Sequence, residues 1–393
     1  MPAAASDELS RVAELRAAVA DDLTLYYDTH FNLARWLQGH PNAPIADIAG
    51  KLAHHLKLRK SSWDLDRFSQ RPRGFHQVHH HWPHGMTAES KALPDVLVNI
   101  EQCGRVDFEG MLATFSITEV MKARIWDLEE MLSLCMSHEK KTGRQASVLY
   151  VMDLDGLEYN KKLVDLVLGS MRSLSEFMAE HYVELMKYFV IVNVPTWLYA
   201  LWMMVKPLLP ERTRQKVRIL GTGSWRKEIL ELADVDSLPD YWNDDNHTFH
   251  AKVARPLNFP PTPPISPTPT GAGRISLRAG CREWLPFDLR AGDSISWHIT
   301  GSQNFGFAVL GPANHDEFTV ANEMLLDQVF PMFPWMPGPT VVPLEESVVV
   351  PADGHYCIWL SNARAWWHTL QLSIWTEVTR KGEEDSEAAN TTN

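Results

Sequence analysis

Residues His181–Trp225 combine a short strand with an apolar helix and read HYVELMKYFVIVNVPTWLYALWMMVKPLLPERTRQKVRILGTGSW. Tyr188–Val192 is rich in β-branched and aromatic residues, which is typical of a buried strand. Pro195 ends this strand, because proline cannot donate to a β-ladder, and it stands where a helix would begin. The predicted helix therefore covers residues 196–206 and stops at Pro207.

This helix is apolar on every face, and it is too short to cross a membrane. Eleven residues at about 1.5 Å each span about 16 Å, roughly half of the ~30 Å hydrocarbon core of a bilayer. A helix without a polar face is either buried or in contact with an oily ligand that enters and leaves. We predict a lipid gate, with ordinary core packing as the alternative, formed by Trp197, Leu198, Leu201, Trp202, Met203, Met204 and Val205.

Four short motifs follow one another here, namely Tyr182-Val183-Glu184, Asn193-Val194-Pro195, Lys206-Pro207 and Thr213-Arg214-Gln215-Lys216. Their order and spacing resemble the core of the CRAL-TRIO lipid-binding domain, the fold of the phosphatidylinositol-transfer proteins. That family has Tyr-Pro-Glu, a strand, Asn-x-Pro, a gate helix ending in Lys-Pro, and Thr-x-x-Lys before another strand. Val183 stands where proline is usual. Two upstream segments also match in order, so the resemblance covers roughly residues 75–245.

The resemblance implies a lipid headgroup site made by Glu184, Thr213 and Lys216. A lipid pocket needs a few fixed polar groups at its mouth and apolar walls elsewhere. Lys216 would meet a phosphate as a point charge, and Thr213 would donate its hydroxyl. Glu184 would reach inositol hydroxyls or order Lys216. The alternative is a surface ion pair, worth at most about 1 kcal/mol.

The first 70 residues predict a helical layer, because apolar residues recur every three or four positions between Leu9 and Lys60. CRAL-TRIO proteins carry a Leu-Arg-Phe-Leu-Arg-Ala-Arg-x-Phe motif in this layer. Residues 23–31 read LTLYYDTHF instead and lack all three arginines. In phosphatidylinositol-binding relatives the last arginine helps to hold the headgroup phosphate, and Thr29 occupies that position here. This departure weakens the expectation of a phosphoinositide ligand.

The rest of the chain divides by composition. Residues 75–245 alternate strands with helical stretches, as in an α/β sheet. Seven prolines between 256 and 269 predict an extended linker over residues 246–272. From 273 to 380 apolar and polar residues alternate between Gly and Asp turns, which predicts an antiparallel β-sandwich. The acidic tail, residues 381–393, is predicted to be disordered.

The sandwich segment resembles the GOLD domain that follows CRAL-TRIO in one branch of the family. The resemblance rests on Ser296–Val309 and Pro351–Asn362. Residues 330–339 read FPMFPWMPGP and are too apolar for an ordinary exposed loop. They belong either to the core or to a surface for a membrane or protein partner. The predicted protein is thus multidomain, with N-terminal helices, an α/β CRAL-TRIO fold and an all-β GOLD sandwich.

Bulk composition disfavours several function classes. The formal net charge is −12 without a long basic run, so a nucleic-acid role has no electrostatic footprint. Four widely spaced cysteines form no Cys-x-x-Cys pair, which predicts reduced thiols in a cytosolic protein. The N-terminal MPAAASDELS has acids where a signal peptide needs an apolar core, so we expect a cytoplasmic location.

Two constellations resemble catalytic or metal sites. Asp153-Leu154-Asp155-Gly156 resembles the first motif of haloacid-dehalogenase phosphatases, but Leu157 stands where Thr or Val is expected. The CRAL-TRIO pattern Asp-x-x-Gly-Leu explains the same residues as a strand-end turn. Residues 76–84 read HQVHHHWPH, with no cysteine within 15 residues, and we predict solvated loop histidines rather than a metal site. GTGSW at 221–225 lacks the Lys-Ser/Thr of a P-loop.

We therefore expect a non-enzymatic, peripherally membrane-associated protein with no metal and no cofactor besides a bound lipid. It would hold a phospholipid or another lipophilic small molecule, meet membranes transiently, and use the sandwich for membrane or protein contacts. The alternative is a signalling or trafficking adaptor with a structural or vestigial pocket. The missing arginines favour the adaptor, whereas Lys216 and the gate favour the carrier. Phosphatidylinositol, phosphatidylcholine, a sterol-like isoprenoid and a tocopherol-like molecule all stay open as ligands.

Overall fold

The computed structural model describes residues 3–70, 77–157, 172–199, 211–220, 223–253 and 264–382. Its first part is a layer of three helices, as predicted: α1 (Ala3–Ala18), α2 (His30–Gly39) and α3 (Ile45–Lys60), followed by a 3-10 helix at Leu65–Gln70. Thr29 is the N-cap of α2, since its hydroxyl oxygen accepts the Asn32 N–H at 3.1 Å. Thr29, which stands where the family resemblance expects the last arginine, therefore starts α2.

The second part is a five-stranded sheet in the order β1-β2-β3-β4-β5. β1 is antiparallel to β2, and the remaining pairs are parallel. The strands are β1 (His84–Glu89), β2 (Val96–Glu101), β3 (Ser147–Asp153), β4 (Met186–Val192) and β5 (Val217–Ile219). The helices are α4 (Phe108–Thr114), α5 (Ile117–Thr142), α6 (Arg172–His181), α7 (Glu211–Lys216) and α8 (Trp225–Glu228). Short 3-10 helices lie at Gln77–His80, Cys103–Arg105, Ile229–Glu231 and Asp240–Trp242.

Both faces of this sheet are covered, which explains its continuous apolar strands. In β3, Val148 and Tyr150 join the core shared with the helical layer. Leu149 and Val151 face the opposite core, which also contains Trp225, Ile229, Trp242 and Phe249. Phe249 is only 1% exposed, so the chain still packs against the α/β domain beyond residue 245.

The third part is an all-β region of two four-stranded antiparallel sheets, with orders β10-β9-β12-β7 and β11-β8-β13-β6. Its strands are β6 (Gly273–Leu277), β7 (Arg282–Leu289), β8 (Ser294–Gly301), β9 (Phe305–Ala313), β10 (Gln328–Met336), β11 (Leu344–Val349), β12 (Gly354–Ser361) and β13 (Leu370–Thr379), with a 3-10 helix at His315–Glu317. Inward-facing residues alternate along the strands and fill the space between the sheets, including Trp297, Phe307, Tyr356 and Ile358.

The apolar segment 330–339 joins the sandwich to the helices. Most of it belongs to β10, where Phe330 and Phe333 are buried. The Trp63 ring, just after α3, lies 5.6 Å from the Phe330 ring and 5.4 Å from the Phe333 ring, centroid to centroid. The Ser62 N–H donates to the Val329 carbonyl at 2.8 Å. The segment was predicted to belong either to the core or to a partner surface, and Phe330 and Phe333 belong to the core.

Within the described ranges, none of the helices has the length and apolar character that a membrane span requires.

Candidate functional site

The predicted headgroup residue Glu184 lies on a tight turn between α6 and β4. Its φ is +55°, a left-handed conformation that is uncommon for a residue with a side chain. Tyr182 and Leu185 flank it in the core, so the turn presents Glu184 outward while its neighbours hold the backbone. A strained backbone that its buried neighbours hold in this way can keep one side chain in a fixed position.

Lys216 meets Glu184 across the ends of two neighbouring strands. Lys216 is the last residue of α7, directly before β5, and β5 is parallel to β4. Its ammonium donates to Glu184 Oε2 at 2.9 Å and to the Met186 carbonyl at 3.3 Å. The two side chains are 27% and 21% exposed, respectively. The structure thus brings two of the three predicted headgroup residues together at a half-open position.

The third predicted residue, Thr213, lies in α7, and its side chain is outside what the structure describes. One helical turn separates positions 213 and 216 in the chain, so the backbone places them on neighbouring turns of α7.

The C-terminus of α2 supports the Glu184 turn through a close approach at Gly39. A Cβ atom added at Gly39 would fall within 3.0 Å of Val183 Cγ1, which real Cβ atoms do not do. Only glycine therefore fits here while Val183 keeps its position. The helical layer and the α/β domain meet directly behind the Glu184–Lys216 pair.

Beneath the turn lies a buried ionic network. Arg59 donates to both oxygens of Glu129 at 2.6 and 2.9 Å and through Nε to Asp66 at 2.7 Å. The Tyr182 hydroxyl donates to Glu129 Oε1 at 2.8 Å. Burial lowers and the Glu129 carboxylate raises the pKa of Arg59, and the net result lies above its ordinary value. Burial, and then the Glu129 charge, raise the pKa of Tyr182 well above its usual range.

Sequence reasoning missed Arg59 and Glu129, although one signal was available. Both are charged residues set in apolar helical stripes, beside Leu56 and beside Ile125 and Leu132. A charge on a core-facing stripe needs a buried partner. That partner is 70 residues away in the chain, so its identity was not readable from spacing.

Asp153 holds the carboxyl ends of β3 and β4 together. One oxygen accepts the Asp155 N–H at 2.9 Å and the Asn193 side-chain N–H at 2.7 Å. The other accepts the Trp242 indole N–H at 2.7 Å. These bonds are those of a buried strand-end turn, in agreement with the CRAL-TRIO interpretation of this motif. Gly156 has a φ of +90°, which the turn requires.

The predicted gate helix begins where the sequence indicated. Residues 196–199 are helical, and the Leu198 and Tyr199 N–H groups donate to the Pro195 carbonyl at 3.0 and 3.1 Å. Leu198 packs on an apolar cluster that includes Cys103, Leu154 and Val194. Trp197 is half-buried. The other predicted gate residues lie outside the described residues, namely Leu201, Trp202, Met203, Met204 and Val205.

The prediction of solvated histidines in segment 76–84 was largely wrong. His79 and His84 each lie with Nε2 at 2.8 Å from the same oxygen of buried Asp127, and Arg124 donates to its other oxygen at 2.7 Å. His81 is buried, with Nδ1 at 3.0 Å from Asp107. Asp107 is the N-cap of α4 and Asp127 lies within α5, and these acids make burial of the imidazoles possible. His80 is exposed as predicted, and His76 lies outside the described residues.

A second histidine group lies between α3 and α6. His54, His55 and His181 are buried, and the Nδ1 atoms of His55 and His181 lie 3.3 Å apart. Burial lowers the pKa of His54 to about 4. Burial also lowers the pKa of His55 and His181 well below their ordinary value. All three imidazoles are therefore neutral near pH 7.

The comparisons with known proteins follow the same division of the chain. Residues 96–243 match the CRAL/TRIO domain family. Residues 262–386 match a family described as F28H7_8_C:-like, C-terminal domain. That description does not name GOLD, so the GOLD identity of the all-β region stays a prediction.

Several curated proteins are similar to this chain. The CRAL-TRIO domain-containing protein F28H7.8 of Caenorhabditis elegans is 29% identical over 236 residues, which cover 58% of this chain and 56% of that protein. Protein ctg-1 of the same organism is 20% identical over 392 residues, covering 96% and 97%. The phosphatidylinositol/phosphatidylcholine transfer protein SFH4 of Arabidopsis thaliana is 23% identical over 164 residues, covering 40% and 25%. The chain thus spans about half of F28H7.8 and a quarter of SFH4.

Among solved structures, the crystal structure of Sfh5 overlaps 56% of this chain and 82% of its own, with 17% identity and a TM-score of 0.40. The assignment of the α/β part rests on the match of residues 96–243 to the CRAL/TRIO family and on the mainly parallel sheet. The α/β part of this chain is a CRAL-TRIO domain.

Proposed function

We propose that this protein binds a lipophilic molecule in its CRAL-TRIO domain and carries it between membranes, or senses it there, without catalysing a reaction. The observation that supports this most is the half-open Glu184–Lys216 pair, formed at the position where the family resemblance implies a headgroup site. The names of relatives such as SFH4 and SFH7, both phosphatidylinositol/phosphatidylcholine transfer proteins, support the ligand class.

In this proposal Lys216 contacts a headgroup phosphate, and Glu184 orders the ammonium. The ion pair and the bond to the Met186 carbonyl hold the lysine Nζ in place before a ligand arrives. Such pre-organisation lowers the entropy lost on binding. Thr213 supplies a hydroxyl donor from the same helix. A phospholipid satisfies this chemistry best, and phosphatidylinositol and phosphatidylcholine share the phosphate that it would recognise.

The gate residues would cover the acyl chains of this ligand. A sixteen-carbon chain taken from a bilayer into water costs about 13 kcal/mol, at about 0.8 kcal/mol per CH₂. A carrier must hide the whole chain, and a helix apolar on every face can close over it and open at a membrane. Leu198, packed on the apolar cluster at the ends of the strands, would anchor the hinge end of this helix.

A cytoplasmic location with transient membrane contact follows from a role of this kind. The all-β region, with its GOLD resemblance, would supply membrane or protein contacts. The adaptor is the second candidate function, and Thr29 favours it. Because Thr29 caps α2, it is engaged in helix formation at the position where relatives hold a headgroup phosphate.

Extraction of labelled phospholipid from vesicles tests the proposal. We expect Lys216→Ala to lower extraction of phospholipid about tenfold, because a charge-assisted contact to phosphate is lost. Trp202→Asp should abolish it, since a carboxylate in the gate cannot close over acyl chains. Lys91→Ala is the matched control, because Lys91 also pairs with an acid, Asp236, but on the exposed surface. Wild-type rates of phospholipid extraction in Lys216→Ala and Trp202→Asp would contradict the assigned site.

A further inference from the structure

One end of the β-sandwich is formed by four loops that carry no acidic residue. These loops, here called the loop end, are residues 278–281, 302–304, 337–343 and 362–369. Strand register places them together, because Leu277 pairs with Leu370, Ser361 with Arg282, and Met336 with Phe305. Their charged residues are Arg278 and Arg364.

The loop end presents two adjacent tryptophans to solvent. Trp366 is 89% exposed and Trp367 is 87% exposed, and Val341 of the neighbouring loop is 56% exposed. Other tryptophans of the sandwich, such as Trp297 and Trp359, are buried. Large apolar side chains that are held in water together usually mark a contact surface.

Buried Asn362 fixes the loop that carries these tryptophans. Its side-chain amide donates to the Leu277 carbonyl at 2.9 Å and to the His368 carbonyl at 3.1 Å. Its backbone N–H donates to the Cys281 carbonyl at 2.9 Å. The loop is thus anchored on both sides of the tryptophans, and the exposed indoles belong to an ordered turn.

The loops at the two ends of the sandwich differ in their content of acidic residues. The opposite end carries five acids, Asp293, Asp316, Glu317, Asp327 and Asp353, together with Arg290. Glu323 of the long loop 314–327 reaches back towards the loop end, where its carboxylate lies 2.7 Å from Nε of Arg282. The whole chain has a net charge of −12. The four loops of the loop end therefore combine exposed tryptophans with Arg278 and with Arg364, which is paired with Glu176, and they add no acid of their own. A positive side chain beside aromatic rings suits a phospholipid surface.

The loop end also lies beside the CRAL-TRIO domain. Arg364 forms an ion pair with Glu176 of α6, the helix that leads into the Glu184 turn. Trp366, Lys51 and His40 line a shared cavity of about 1170 Å³, which Glu176 and Glu180 also line. His40 follows Gly39, the residue packed behind Glu184. A surface bound by the tryptophans would be next to the domain that holds the ligand.

We propose that the loop end docks on a phospholipid bilayer, with Trp366 and Trp367 inserted at the level of the headgroups. An indole has an apolar body and a polar N–H, and it is favoured at the membrane–water interface. Two adjacent tryptophans offer about 300–500 Å², less than the ~800 Å² that each partner buries in a standard protein interface. A bilayer needs no shape complementarity, so a small convex wedge suits it better than a protein.

This docking surface rests on the proposed carrier function, because docking would bring the lipid pocket to the membrane. Flotation with phosphatidylcholine vesicles, with and without phosphatidylserine, measures the docking itself. We expect Trp366→Ser/Trp367→Ser to lower vesicle affinity about tenfold or more and to leave the melting temperature unchanged. When vesicles are added, the tryptophan emission of the wild-type protein should shift to the blue, and brominated phospholipid in the vesicles should quench it.

Val349→Ser is the matched control, since Val349 is 64% exposed at the opposite end of the sandwich, and it should bind vesicles like the wild type. Arg278→Gln should weaken binding only to vesicles that contain phosphatidylserine. Wild-type affinity in the double tryptophan variant, or no vesicle binding by the wild-type protein, would overturn the proposal.

Lipid retained inside the purified protein, identified by mass spectrometry, separates the two proposals. A double variant that keeps its lipid and does not float supports the loop end as a docking surface. If the wild-type protein floats with vesicles but never contains lipid, the carrier function fails while the docking surface stands. If it contains lipid but never floats, the docking surface fails alone.

Discussion

Gly39→Ala tests how the helical layer supports the Glu184 turn. The new Cβ would fall within 3.0 Å of Val183 Cγ1, and a β-branched valine cannot turn away freely. Overpacking of this kind costs about 1–3 kcal/mol, against a gain of up to about 1 kcal/mol for removing glycine from the end of a helix. We expect a net loss of about 1–2 kcal/mol in the free energy of unfolding.

The double variant Gly39→Ala/Val183→Ala makes this prediction specific. Removing the two Cγ atoms leaves Val183 Cβ, at 3.5 Å from the added methyl, which is ordinary contact. Val183→Ala alone should cost about 1 kcal/mol, because the side chain is only half-buried. The double variant should be about as stable as Val183→Ala. The two substitutions would then be coupled favourably by about 1–3 kcal/mol in the free energy of unfolding.

Urea denaturation of the four proteins gives this coupling energy, and vesicle extraction gives its functional counterpart. We expect extraction to fall with Gly39→Ala and to recover in the double variant, because the turn that carries Glu184 returns to its place. Strictly additive losses, or a Gly39→Ala protein as stable as the wild type, would refute the close approach of α2 and the turn.

Further predictions concern the buried polar groups. Glu129→Gln should cost about 3–5 kcal/mol in urea denaturation, because it removes the buried counter-charge of Arg59; a loss below 1 kcal/mol would contradict this. Tyr182→Phe should cost only about 1 kcal/mol. His54 has a pKa of about 4 in the folded protein against an ordinary 6.5, so the unfolded chain binds a proton that the folded chain excludes. Stability should therefore be full above pH 6.5 and fall towards pH 4, by about 3 kcal/mol for this residue. His54→Gln should remove this residue's share of the pH dependence and leave the share of His55 and His181, and an unchanged profile would contradict the assignment.

Local sequence signals predicted the centre of the α/β domain well. The predicted strand at Tyr188–Val192 is β4, which begins two residues earlier at Met186. The helix predicted to follow Pro195 begins at residue 196, in agreement with the preference of proline for the start of a helix. That Glu184 orders Lys216 was one of two roles that the family resemblance implied. The parallel pairing of β4 and β5 contributes to the contact, because Val217 pairs with Phe189 and Lys216 therefore lies beside the first half of β4.

Other features depended on contacts that spacing cannot reveal. The segment around Pro331 and Pro334 looked like a loop, but β10 is an edge strand with a single neighbour, and an edge strand tolerates proline. Its aromatic rings are buried because the end of α3 covers them. The histidines of segment 76–84 are largely buried because Asp107, the N-cap of α4, and Asp127, within α5, reach them from later in the chain. In each case the missing information was the partner in tertiary structure.

The most direct test of the central claim is native mass spectrometry of the protein purified from eukaryotic cytosol, with extraction and identification of any bound lipid. We predict one phospholipid per chain, retained through purification and largely lost in Trp202→Asp. Its headgroup would show whether Thr213 and Lys216 suffice without the missing arginines. A protein that arrives empty and stays empty after incubation with phospholipid vesicles would contradict the carrier function and favour the adaptor.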